Sequence, residues 1–303
     1  MRIACVGECM IELTDAPSGI GRGFGGDTLN TAIYLARLGK AEGVKVDYVT
    51  AVGDDPYSDE MIAAWSLEGI GVRNVLRILG KMPGLYSIRT SKLGERSFFY
   101  WRSAAAARQM FNGEEGKRLA ANLKDYDWIY FSGITMGILD LDGRMIFLDA
   151  LRRASDAKAK LAYDSNYRSR IWSDEEEAQA MYSVCLGWAD LALPSFDDER
   201  ALYGDKNPET TALRIAKQGL SEIVVKDGDK DIVLCVDKKI TRYKGASHPE
   251  PIDTTAAGDS FNAGYIFARM LGKSPEDAVV DGASLAYRVV GVRGAILPRD
   301  MEV

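Results

Sequence analysis

The sequence predicts one α/β domain, a largely parallel sheet covered by helices on both faces. Three observations predict it. Short β-branched or aromatic runs alternate with segments of helical period. No internal repeat, low-complexity tract or Pro/Ser-rich linker divides residues 1–303. Hydrophobic residues make up 47 % and charged residues 27 %, a balance that supports one large core at this length.

In chain order the runs read as strands are Ile3 to Val6, Val46 to Val52, Trp128 to Phe131, Leu161 to Asp164, Leu191 to Leu193 and Ile223 to Lys226. Leu29, Ala32, Ile33 and Ala36 follow i, i+3, i+4, i+7 and predict a helix that stops at Gly39. Ala263, Ile266, Phe267 and Met270 repeat that spacing ahead of Gly272. Leu85 to Thr90 and Ser97 to Trp101 break the rhythm: two strand-like runs joined by the turn segment Ser91 to Arg96, with no helix between them. This hairpin, spanning 83–103, is either a lid over a site at the carboxyl ends of the sheet strands or an ordinary edge hairpin. Its aromatic residues suit both.

Composition excludes several classes of function. With 38 basic and 44 acidic side chains the net charge is −6, and no basic stripe is present, so a nucleic-acid partner is not expected. Glu8 and Glu12 interrupt the first apolar run, which a secretory leader would not tolerate. No segment reaches the roughly 18 apolar residues of a membrane span. A cytoplasmic protein without a membrane partner is therefore expected. Cys5, Cys9, Cys185 and Cys235 are too dispersed for a metal or redox motif and read as free thiols. With His248 the single histidine, a Ser-His-Asp triad or a multi-His metal site is excluded, and His248 reads as a loop residue.

The most informative stretch is Asp253-Thr254-Thr255-Ala256-Ala257-Gly258-Asp259-Ser260-Phe261, which runs directly into a predicted helix. Small residues at a helix start let backbone N–H groups point at an anion, where the helix dipole favours negative charge. Asp259 is then either a helix cap or the base that phosphoryl transfer requires for its attacking hydroxyl. Near the N-terminus, Gly25-Gly26 permits close approach of a ligand to the backbone, and Asp27 and Asn30 offer hydrogen bonds to hydroxyls. Glu8 and Glu12, placed at the end of the first strand, do not read as a catalytic pair: either one of them touches substrate hydroxyls or they are solvated or structural carboxylates.

Gly25-Gly26-(x)3-Asn30-(x)5-Ala36-(x)2-Gly39 and the Asp253 to Asp259 stretch together resemble the two signatures of the ribokinase-like (PfkB) carbohydrate kinases. The resemblance extends over essentially the whole chain. It is supported by Gly53-Asp54-Asp55 and by the run Ser195 to Gly204, and the C-terminal signature is highly specific. Gly7 to Leu13, Phe24 to Thr31, Pro83-Gly84-Leu85-Tyr86, Phe99-Tyr100-Trp101-Arg102 and Asn166-Tyr167-Arg168 resemble the branch acting on the sugar acid 2-keto-3-deoxygluconate.

The resemblance implies a three-layer α/β/α fold with a small β lid, which also draws on strands near 10–24. It implies ATP and Mg²⁺ as co-substrates and phosphorylation of the 6-hydroxyl. Asp259 becomes the base, and Ala256, Ala257 and Gly258 present N–H groups to the transferring phosphoryl. Gly26, Tyr86, Tyr100 and Arg102 hold the sugar acid, with Arg102 reading its carboxylate. Asn166 joins the sugar wall, and Arg168 sits between sugar and phosphates. Lys226, Gly228 and Gly258 border ATP, although Asp231 replaces the last glycine of that loop. The family's Asn-x-x-Glu segment, which organises Mg²⁺ through waters, reads here Ser195-Phe196-Asp197-Asp198, leaving Asp198 an indirect part. The loops near Asp253 and Gly294 are the candidates for K⁺. Family members assemble through the lid, so a homo-oligomer is expected. A neutral-sugar kinase of fructokinase or ribokinase type and a non-catalytic sugar-binding relative are the competing readings; Arg102 argues against the first and an intact Asp259 against the second.

Overall fold

The computed structural model describes residues 1–16, 19–90, 96–245 and 247–301. The strands are β1 (Arg2–Val6), β2 (Met10–Ala16), β3 (Gly19–Gly25), β4 (Lys45–Val52), β5 (Val75–Arg77), β6 (Gly84–Thr90), β7 (Arg96–Trp101), β8 (Trp128–Ser132), β9 (Lys160–Asp164), β10 (Leu191–Ala192), β11 (Glu222–Val225), β12 (Asp231–Val236) and β13 (Lys239–Lys244). The helices are α1 (Asp27–Gly39), α2 (Pro56–Leu67), α3 (Gly113–Ala121), α4 (Gly133–Ile138), α5 (Leu141–Asp156), α6 (Glu175–Trp188), α7 (Phe196–Tyr203), α8 (Pro208–Ala216), α9 (Ala257–Met270) and α10 (Pro275–Val290).

Nine strands form one sheet in the order β13-β12-β11-β10-β9-β8-β1-β4-β5. It is parallel from β11 to β5 and ends in the antiparallel hairpin β12–β13. Alternation along β1 shows why helices must cover both faces. Ile3 and Cys5 pack with α1, α2, α9 and α10, whereas Ala4 and Val6 pack with α3, α5, α6 and α8. The result is the expected three-layer α/β/α arrangement. Side-chain caps start several helices: Asp55 ahead of Pro56, Asp140 ahead of Leu141 and Ser274 ahead of Pro275. Among the described residues no helix is long and apolar enough to cross a membrane.

Gly39 departs from expectation. It is the last residue of α1, not a stop, and a Cβ there would lie 2.7 Å from the Val44 side chain. Its smallness serves close packing. Gly272, with φ 79°, does end α9 in the left-handed region.

A second sheet has the order β3-β2-β6-β7 and contains both the 84–101 hairpin and strands within 10–25. The expected turn at 91–95 lies outside the described residues. Register places Gly19, Gly21, Gly23 and Gly25 of β3 on the same face as Glu12, Tyr86 and Tyr100. That face is therefore bare of side chains along one strand and rich in polar aromatics along two others. Phe99 and Trp101 project from the opposite face and are exposed.

Candidate active site

β1 is flanked by β4 on one side and β8 on the other: the chain adds β4 and β5 on one side of β1 and then returns to add β8 on the other. In a parallel sheet such a reversal opens a crevice beyond the carboxyl ends of the strands. Gly7 and Glu8 follow β1, Ser132 ends β8, Asp164 ends β9, and the N-termini of α1 and α9 point into the same region. A Cβ on Gly26, just before α1, would lie 2.2 Å from the Glu8 carbonyl oxygen, so this close passage requires glycine.

Ala256 has φ 60°, a left-handed conformation that few side-chain-bearing residues adopt, and the chain enters α9 from it. No side chain caps this helix. The cap reading of Asp259 therefore falls, because its carboxylate turns away from its own helix to accept a 2.8 Å hydrogen bond from Asn30 Nδ2. Of the three N–H groups expected to face an anion, that of Ala257 is turned back onto Thr254 O at 3.3 Å. The left-handed step at Ala256 winds a tight turn there. Asp259 is raised to about 7, first by burial and then by the neighbouring Asp27 charge, against the pull of Asn30 and Lys226. Asn30 Oδ1 is buried without a partner among the described residues, so it can accept from a ligand hydroxyl.

Asp27 does not stand open as expected for a hydroxyl acceptor. Its Oδ2 accepts from Ser132 Oγ at 2.5 Å and from Asn166 Nδ2 at 2.9 Å. Asn166, at φ 35°, is bent into place by its N–H bond to Asp164 Oδ1 at 3.1 Å. Asp27 thus ties α1 to the ends of β8 and β9.

Beneath the loop lies a buried network. Lys226 Nζ contacts Asp164 Oδ2 at 3.0 Å and Asn262 Oδ1 at 2.8 Å. Asn262 Nδ2 donates to Asp164 Oδ2 at 2.7 Å and to Tyr130 OH at 3.0 Å. A Cβ on Gly258 would meet only this ammonium, at 3.7 Å. Lys226 is therefore a buried cation under the anion turn rather than a side chain at the rim. Asp164 and Asn262 were missed in the sequence. The signal was available: a lone carboxylate closing an apolar strand, and an Asn one helical turn beyond Asp259.

The second sheet supplies the opposite wall. Tyr86 OH donates to Glu12, Tyr86 stacks on Tyr100 with ring centroids 5.9 Å apart, and Arg102 lies 6.0 Å from the Tyr100 ring centre. Glu12 belongs to β2, not to the end of the first strand, and its partner is the Tyr86 hydroxyl. Glu8, expected to be solvated or structural, is buried and forms an ion pair with Arg102. Tyr86, Tyr100 and Arg102 lie side by side on this wall, and Gly26 packs against the backbone of Glu8, the partner of Arg102.

On the other side of the anion turn lies a cavity of about 450 Å³, lined by Lys226, Gly228, His248, Gly258, Phe261 and Ala286 among others. Gly228 turns the loop with φ 59°, and Asp231 begins β12. His248 lies in a loop as expected but contributes to this wall; its ring centroid is 4.7 Å from that of Tyr287. Arg168 Nη1 contacts Asp198 at 3.2 and 3.3 Å, and burial raises the Asp198 carboxyl while Arg168 pulls it down. No group of three His, Cys, Asp or Glu side chains able to hold a metal occurs among the described residues. The donor set, Asp198 with Asp164 in electrostatic reach, fits a hard cation that keeps its waters and arrives on phosphates.

Comparison with known proteins agrees with this geometry. The family model for pfkB family carbohydrate kinases matches residues 1–301. The chain is 41 % identical over 302 residues to a 2-dehydro-3-deoxygluconokinase of Escherichia coli strain K12, covering 99 % of this chain and 98 % of the other. It is 41 % identical to a 2-dehydro-3-deoxygluconokinase of Dickeya dadantii over 98 % of this chain and 96 % of that one. Among solved structures, an Escherichia coli protein described as ribokinase II, in complex with ATP and Mg²⁺, superposes with a TM-score of 0.82 at 20 % identity, covering 97 % and 94 % of the two chains. Matched in sequence from end to end, and built on the same three layers, the chain belongs to the pfkB family of carbohydrate kinases.

Proposed function

We propose that this enzyme transfers the γ-phosphoryl group of MgATP to the 6-hydroxyl of 2-keto-3-deoxygluconate. The observation that carries the reading is one crevice in which Asp259 faces the sugar side beside the Ala256 to Gly258 turn, with Arg102 on the wall formed by the second sheet. The full-length relatives at 41 % identity support the same substrate.

Asp259 takes the proton of the 6-hydroxyl as its oxygen bonds to the γ-phosphorus and the bond from that phosphorus to the β–γ bridging oxygen breaks, releasing ADP. Ala256 and Gly258 N–H groups and the Lys226 ammonium meet the charge on the transferring group, and Arg168 flanks it. ATP occupies the cavity bordered by Gly228, Gly258 and Phe261. Asp198 is the residue that would help hold the water shell of Mg²⁺, whose charge would offset that of the phosphates when bound with the nucleotide. Asn30 Oδ1 and Asn166 orient sugar hydroxyls, Tyr86 and Tyr100 pack against the sugar, and Arg102 takes its carboxylate. Asp27 acts by holding Asn166. No part of this reading needs K⁺; the Asp253 and Gly294 loops offered for it are already joined by a 2.9 Å hydrogen bond.

The four-stranded sheet serves as the lid, and its closure excludes water that would otherwise hydrolyse ATP. Phe99 and Trp101, exposed on its outer face, support assembly with a second copy through the lids. Four unbridged, buried cysteines support a cytoplasmic enzyme.

An ATP-consumption assay comparing 2-keto-3-deoxygluconate, fructose, ribose and adenosine tests the proposal; preference for a neutral substrate overturns it. Because Asp259 is raised to about 7 and must be deprotonated to accept the proton, kcat/KM for the sugar acid is expected to fall as pH drops through about 7. A profile flat from pH 6 to 8 would remove Asp259 as the titrating group.

A further inference from the structure

We propose that Glu8 is the positioning residue for Arg102, fixing its guanidinium on the sugar wall and so setting preference for an acid over a neutral sugar. This rests on the reading that Arg102 takes the substrate carboxylate. Glu8 lies in the short connection from β1 to β2, only 2 % exposed, and Arg102 follows β7 on the second sheet. A carboxylate taken out of water carries a penalty of several kcal/mol unless a cation meets it. Arg102 is the cation that touches it, and the two side chains are nearly sealed, with 1 % and 12 % exposure.

Two glycines clear space for the pair. A Cβ on Gly84 would lie 2.9 Å from Glu8 Oε1 and 3.2 Å from Arg102 Cβ, and one on Gly26 would strike the Glu8 carbonyl oxygen. The ion pair with Glu8 is made through Arg102 Nη2, and neither the buried Nε nor Nη2 has a hydrogen-bond acceptor among the described residues. A planar guanidinium can serve two acceptors from different edges. Glu8 therefore balances the arginine before substrate arrives and leaves donor capacity for the incoming carboxylate. Arg108, whose charge also reaches Glu8, supplies the second cation that two carboxylates require.

The test compares Glu8→Gln, Arg102→Met and the double variant, each checked for folding by its melting temperature. Substrates are 2-keto-3-deoxygluconate and 3-deoxyfructose, a neutral counterpart without the carboxylate. Glu8→Gln is expected to raise KM for the acid about tenfold, leaving kcat, KM for ATP and KM for the neutral sugar within about twofold. In the Arg102→Met background it should add nothing, because both changes remove one interaction. Additive effects, or equal losses on both sugars, overturn the proposal. So does an unchanged KM in Glu8→Gln where Arg102→Met raises it, a result that spares the reading of Arg102. An unchanged KM in Arg102→Met overturns that reading itself. Should Glu8→Gln fail to fold, Glu8→Asp keeps the charge and is expected to raise KM for the acid alone, by a smaller factor; no rise overturns the proposal.

Discussion

Asp259→Asn is expected to retain both substrates within a few-fold of their normal affinity and to lose turnover by about 10²–10⁴, the range for removal of a positioned general base. Asn keeps the size of the side chain and an oxygen that can accept from Asn30 Nδ2, so the crevice survives while the proton acceptor is lost. The same change should make the fold more stable at pH 8. A carboxyl raised to about 7 in the folded chain binds its proton there more tightly than in the unfolded chain, so its contribution to stability is present below the unfolded value and lost as pH rises through about 7. Replacing it with a neutral amide removes that loss. Single-turnover kinetics and melting curves at pH 6 and 8 check both halves. Near-normal turnover would end the assignment of Asp259 as base.

Lys226→Met carries the second large effect. The ammonium is nearly sealed against Asp164 and Asn262, and its removal leaves the Asp164 carboxylate buried without its cation. Breaking a buried pair from one side costs about 3–5 kcal/mol. For a domain of this length that lowers the melting temperature by about 5–8 °C. Lys226 also pulls the Asp259 pKa down, so the activity profile should move to higher pH as well as to lower amplitude. A melting temperature within about 2 °C of the parent would show that Asp164 is satisfied some other way.

What could be read from the sequence followed from how strongly local pattern constrains the backbone. The parallel strands β1, β4, β8, β9, β10 and β11 were legible because each is a short, largely apolar run sealed between two helical layers, and α1 and α9 because their stripes recur at helical spacing; β5, Val75–Arg77, was not read. β3 was reached only through the resemblance, which implied lid strands near 10–24, and not through local pattern: Gly19-Ile20-Gly21-Arg22-Gly23-Phe24-Gly25 is a poor strand former that is held by pairing with β2. The antiparallel β12–β13 hairpin likewise has no Asn-Gly or similar turn signal to announce it. At the site, the two signature stretches meet where Asn30 bonds to Asp259. The pairing of Glu8 with Arg102 was hidden, since it joins two sheets that come together only in the fold. The inward turn of Lys226 was hidden as well, because a lysine near a glycine loop normally reads as exposed.

Asn262 has a consequence for how this molecule breathes. By bonding to Asp164 and Tyr130 it bolts α9 to the end of β9 and the middle of β8, deep in the central core. The first turns of α9 can then open to solvent only when that core itself opens. The glycine strand and the aromatic hairpin belong to a smaller and partly exposed sheet, tied to the rest of the described residues by ion pairs such as Arg22 with Glu60 and Arg102 with Glu8, and can separate at lower free energy. Asp259, the proposed proton acceptor, sits on the slow, globally protected part of the structure, and the proposed sugar wall on the part free to fluctuate.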